Sequence, residues 1–133
     1  ISMGGLGAAS YAMEHEELVQ GVILLAPFMG DADVIDEVKA AGGLEKWTPP
    51  DLAAIEDEGG RQYYKLWSWY QEYVTSPSTQ PELYIGHGQD DGLGGPNDMV
   101  GAFLPDGHLK IIPGKHKWKV WTPIFADFIR AIR

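Results

Sequence analysis

Val22-Ile23-Leu24-Leu25-Ala26-Pro27 is an unbroken apolar run closed by a proline. It reads as a strand buried on both faces, the pattern of a parallel sheet. Two shorter runs resemble it: Leu83-Tyr84-Ile85-Gly86, and Leu109-Lys110-Ile111-Ile112 ended by Pro113-Gly114. Helical patterns lie between and around them. Leu6, Ala9, Ala12 and Met13 share helical spacing, and small residues around them suit a helix pressed against a sheet. Pro96 to Leu104 reads as a helix with Pro96 in its first turn. The last helix carries Ile124, Phe125, Phe128, Ile129 and Ile132 on one face, with Thr122-Pro123 as its expected N-cap and first residue.

The stretch between the first two strands is different. Asp31 to Ala41 reads as a short amphipathic helix ending at Gly42-Gly43. Pro50 or Asp51 is expected to open another, which Gly59-Gly60 would end. Residues 61–74, RQYYKLWSWYQEYV, form an aromatic helix with Tyr63, Trp67, Tyr70 and Val74 on one stripe and Tyr64 and Trp69 off it. The order is helix, strand, helical insert, strand, helix, strand, helix, which predicts a parallel α/β architecture.

Composition narrows the function. The chain has 133 residues, 44% of them hydrophobic, which fits one domain with a packed core. Its net charge of −9 argues against nucleic acid and against an anionic membrane surface, since both need clustered Lys and Arg. The acidic surplus, spread along the chain, reads as an ordinary soluble surface. Without cysteine there is no disulfide, thiolate metal site or Cys nucleophile, and the compartment stays open. No apolar run approaches the roughly 20 residues of a membrane helix.

Three loci carry candidate chemistry, each after a different strand position. The opening Ile1-Ser2-Met3-Gly4-Gly5 places a serine between a strand end and a helix start. A tight turn there lifts the hydroxyl clear of the sheet, and the crowding is expected to require a small residue two positions on, at Gly4. The Met3 N–H would face a developing oxyanion. Serine needs a base at neutral pH. Of His15, His87, His108 and His116, the last follows the third strand and so reaches the carboxyl edge of the sheet, where Ser2 also lies. A base histidine needs an acceptor, and Asp90 and Asp91 follow the second strand. Each feature alone has a plain structural reading, as a glycine-rich turn, a packed histidine or an Asp-Gly turn. Together they place Ser, Asp and His in that chain order.

On these residues the sequence resembles the α/β-hydrolase superfamily, specifically bacterial esterase-like members, over essentially all of residues 1–133. ISMGG resembles the second half of the nucleophile elbow, Val22 to Pro27 the strand that follows the elbow helix, GQDDGL the acid loop, and GKHKWKVW the histidine loop. Alignment with the usual Gly-x-x-Asp pattern favours Asp91 over Asp90. The resemblance implies Ser2, Asp91 and His116 as the catalytic triad and the Met3 N–H in the oxyanion hole. It implies carboxylic ester hydrolysis through an acyl-enzyme, on a small-molecule ester or acyl substrate, with no cofactor or metal. Trp67, Tyr70 and Trp118 are candidates to line an acyl pocket, with core packing the plainer reading. The same triad would also serve an acyltransferase, thioesterase or peptidase, and the fold could equally carry a non-catalytic binding protein.

Lys115 and Lys117 depart from the family, standing where Gly and Asp are usual. With Lys119 they surround His116 with cations that oppose its imidazolium form. Residues 28–80 read as a helical, cap-like insert. The chain is expected to be the C-terminal part of one such domain, begun inside the elbow. The missing N-terminal part would supply the early strands and the second oxyanion N–H, and the isolated piece is expected to be inactive and to expose a sheet edge.

Overall fold

A computed structural model describes residues 1–133. The chain divides into two compact units, Ile1–Phe28 with Pro81–Arg133, and Met29–Gln80. The first unit holds the sheet, with β1 (Gly21–Leu25), β2 (Glu82–Gly88) and β3 (Leu109–Ile112) in the order β1-β2-β3. Both pairings are parallel, with Leu25 opposite Gly86 and Gly88 opposite Ile112. This is the α/β arrangement read from the sequence: three parallel strands with packing helices and an inserted helical region.

The sheet is covered by α1 (Ser2–Glu14), α4 (Gly94–Gly101) and α5 (Trp118–Ile132). On α1 the buried residues are Gly5, Ala9 and Ala12, a stripe of small side chains that lets the helix approach β1 closely. From α5, Val120, Trp121, Ile124 and Phe128 enter one cluster with Leu25, Ala26 and Tyr84. Each such large side chain contributes about 1.5–3 kcal/mol by leaving water. Lys110 on β3 pairs with Asp127 on α5, which holds the Asp127 carboxyl below its ordinary range.

Two boundaries differ from expectation. Thr122-Pro123 does not open the last helix: α5 begins at Trp118 and carries Pro123 inside it. The amides of Val120 and Trp121 both donate to the Lys117 carbonyl, and the early start buries Val120 and Trp121. Proline at position 123 removes only the bond that its own N–H would have made to Lys119. The run at residues 22–26 is also not buried throughout, for Val22 and Ile23 are only half covered. They lie on an edge strand, since β1 has a neighbour on one side alone.

The second unit contains α2 (Ala32–Ala40), a 3₁₀ turn at Leu52–Ala54 and α3 (Glu58–Thr75). Gly59 and Gly60 do not end a helix as expected but sit in the first turn of α3. The Asp57 carboxylate caps that turn by accepting the Gly60 N–H at 2.6 Å. The buried face of α3 is Leu66, Trp67, Trp69, Tyr70 and Tyr73, so Trp69 is inside although it lies off the expected stripe. Trp47 and Tyr64 donate to the two carboxylate oxygens of Glu37 at 3.3 and 2.7 Å, tying α3 to α2. Burial and that bond push the Tyr64 hydroxyl up to about 12. No helix is long and apolar enough to cross a membrane.

Candidate active site

Ser2 is the first residue of α1 and has φ of +51°, a left-handed backbone that costs an ordinary L-residue about 1–2 kcal/mol. Strain of this kind persists where surrounding structure enforces it. Here the Phe28 N–H donates to the Ser2 carbonyl at 3.0 Å, and Pro27 lies directly under α1. A Cβ on Gly5 would come within 2.8 Å of Pro27 Cβ, whereas one on Gly4 would meet nothing within 4 Å. The crowding expected at Gly4 therefore falls on Gly5, because the segment after β1, not the elbow itself, makes the close approach. That segment is held in turn: Ala26 has φ of +45°, its N–H donates to Gly86 at 2.8 Å, and the Asn97 side-chain amide donates to the Pro27 carbonyl at 3.1 Å. Sequence reading missed Asn97, whose one signal is a polar side chain in a helix that packs on the sheet.

The acid and histidine loops are stitched together by backbone. Gln89 N–H donates to Ile112 at 2.8 Å and Asp90 N–H to Gly114 at 2.9 Å. Asp91 N–H turns back to Gly88 at 3.0 Å. These bonds leave Asp90 exposed and bury Asp91, whose side chain is 1% exposed. One Asp91 oxygen accepts the Leu93 N–H at 2.9 Å and the other faces His116 Nδ1 at 2.8 Å. His116 Nε2 lies 3.0 Å from Ser2 Oγ. A carboxylate only accepts, so Nδ1 carries the proton, Nε2 presents its lone pair and the Ser2 hydroxyl donates to it. Ser2, His116 and Asp91 thus form a continuous triad-like line. The Trp121 ring meets the His116 ring edge-on with centroids 4.7 Å apart, which fixes its plane.

The other histidines serve elsewhere. His108 Nδ1 is 2.9 Å from the Leu83 carbonyl and its ring stacks on Tyr84. His15 ends α1 beside Tyr11. His87 is 2% exposed and lies between two acceptors, the Gly88 carbonyl at 2.8 Å and Asp98 at 2.6 Å, so it braces the strand end from which the acid loop departs.

The Met3 amide lies in the first turn of α1, where helix N–H groups have no helical acceptor. Trp67 and Tyr70 are fully buried in the inserted unit, where Trp67 Nε1 donates to the Met29 carbonyl at 2.6 Å and the two rings meet edge-on. Their surroundings are those of packed side chains, the plainer of the two readings. Trp118 is 69% exposed, beside Trp121.

Gly88 is the residue on which the loop-to-loop fit depends. A Cβ there would overlap the Gly114 carbonyl oxygen and stand 2.9 Å from that of Lys115, two backbone atoms that cannot swing aside. Gly88→Ala is expected to destabilise by about 2–3 kcal/mol, as overpacking does. It should also push His116 from Asp91 by a fraction of an ångström or more. Urea melts of both forms check the loss, and unchanged stability would show that the two loops are not packed this tightly.

No protein-family model matches the sequence, and no curated protein matches it either. Among solved structures it is similar to a ferulic acid esterase, at 17% identity with TM-score 0.57, over 98% of this chain and 49% of that one. The fold is that of the α/β hydrolases. A fluorophosphonate-binding serine hydrolase of Staphylococcus aureus matches at 19% identity and TM-score 0.59, over 96% of this chain and 51% of that one. An S-formylglutathione hydrolase of the same organism matches at 20% and 0.53, over 98% and 47%. The chain thus spans about half the length of each of these structures, and the triad-like line lies within that half.

Proposed function

We propose that this chain carries the catalytic centre of a serine hydrolase acting on carboxylic esters. The observation that supports it most is the unbroken line from Ser2 Oγ to His116 to Asp91, at 3.0 and 2.8 Å, on a serine held in a strained turn. His116 takes the Ser2 proton as Oγ bonds to the ester carbonyl carbon. The oxyanion formed is met by the Met3 N–H and by a second donor outside this chain. His116 then gives its proton to the departing alkoxide, leaving an acyl-enzyme. Water, deprotonated by the same imidazole, releases the acid and restores Ser2. Asp91 holds the tautomer and stabilises the imidazolium. One structural relative is described as fluorophosphonate-binding, and such a phosphonate is the direct test. The polypeptide bearing this sequence should be labelled covalently at Ser2, and a folded protein that takes no label would falsify this reading.

The rest of the fold is proposed to cover the free edge of β1. Ala26 N–H and the Gln20 carbonyl turn toward β2, so by strand alternation the amides of Gly21, Ile23 and Leu25 turn to the open side. Beside them lies an apolar hollow of about 280 Å³ lined by Ile1, Ile23, Leu25, Trp118, Trp121 and Phe125. Trp121 Nε1, buried there, has no hydrogen-bond partner. A further parallel strand would satisfy the edge amides, and its carbonyls could take the indole N–H. Hydrogen exchange at the Ile23 amide should be fast in this chain alone and slowed at least about 100-fold in the completed fold. Equal exchange in both would rule the strand out.

A further inference from the structure

Charge is unevenly placed around His116. Residues 108–133 hold six of the ten Lys and Arg but, in Asp127, one of the nineteen Asp and Glu. Asp127 pairs with Lys110 and Arg130. Lys115, Lys117 and Lys119 are exposed, and none of the three has a carboxylate partner. The two carboxylates of the acid loop do not cancel them. Asp91 is buried and committed to His116 and to the Leu93 amide. Asp90 lies exposed on the loop bonded to Gly114, and it pairs with none of the lysines. A protein of net charge −9 therefore carries three exposed, unpaired cations within three residues of the histidine that faces Ser2.

Unpaired cations beside the base attract a ligand that carries a fixed negative charge, whereas a neutral ester gains nothing from them. We propose, building on the esterase reading above, that the preferred substrates are esters bearing an ionised carboxylate close to the scissile bond, with Lys115, Lys117 and Lys119 as the residues that select them. Consecutive Cα atoms are about 3.8 Å apart and the Debye length at 0.1 M salt is about 10 Å, so these charges act on a ligand held at Ser2. Exposure keeps each contribution small, and the three together should amount to a selectivity of about 5- to 10-fold.

The test compares a neutral ester with an otherwise matched ester carrying a carboxylate, by kcat/KM in the polypeptide bearing this sequence. At low salt the anionic ester should be favoured about 5- to 10-fold, and the ratio should fall toward one in 1 M NaCl. Lys115→Glu, Lys117→Glu and Lys119→Glu combined should invert the ratio, while the neutral ester reports that the triad is intact. Should that variant fail to fold, the salt series on the unaltered protein decides alone. A ratio near one at low salt, or one indifferent to salt, overturns the selectivity and leaves the esterase reading standing. No turnover of either ester, with no phosphonate label, overturns both.

Discussion

Ser2→Ala is expected to abolish phosphonate labelling and to cut ester turnover by a factor on the order of 10⁴ to 10⁶. The effect is this large because the remaining groups have nothing to act on. His116 Nε2 has Ser2 Oγ as its partner at 3.0 Å, and no other nucleophilic side chain is hydrogen-bonded to it. What survives should be the small rate that oxyanion donors and binding provide to water. The fold should survive too, since the Ser2 backbone, not its hydroxyl, receives the Phe28 N–H. His116→Ala should cost a similar factor, and the double variant little more than either alone, as expected of groups that act as a unit. Additive losses in rate, measured by kcat of both single variants and the double, would show that the two do not share one proton path.

Asp91→Asn should lower kcat by about 10⁴ with little change in KM, for a reason specific to this loop. One carboxylate oxygen of Asp91 accepts the Leu93 N–H at 2.9 Å, and the other faces His116 at 2.8 Å. In the asparagine variant the backbone N–H keeps the side-chain oxygen, so the NH₂ group turns to His116. Nδ1 must then accept, which moves the imidazole proton to Nε2 and aims an N–H at Ser2. The base is lost though every atom stays near its place. Asp90→Asn, on the exposed neighbour, should leave kcat within about twofold, as surface changes usually do. Equal losses at the two positions would mean that loop charge in general, rather than the bond to Nδ1, matters.

Much of this was legible in the residues. The runs at 22–26, 83–86 and 109–112 became β1, β2 and β3, and the helices fall between them in the expected order. Asp91, chosen over Asp90 by pattern, is the carboxylate whose oxygen faces the imidazole. Other expectations failed where a distant neighbour decided. Gly4 looked crowded, yet Pro27 presses on Gly5. Pro123 looked like a helix start, yet burial of Val120 and Trp121 starts the helix five residues earlier.

Sequence alone determined the alternation of strands and helices, and with it the placement of serine, acid and histidine after their respective elements. Those are local properties, set by side-chain periodicity and by turn residues that act over a few positions. Only the tertiary structure decided that an imidazole meets a hydroxyl 114 residues away in the chain and a carboxylate 25 residues away. It also decided that His87 braces the acid loop, and that three lysines at this rim stay unpaired. Such pairings depend on which backbones approach one another across parallel strands, a distance that no local pattern encodes.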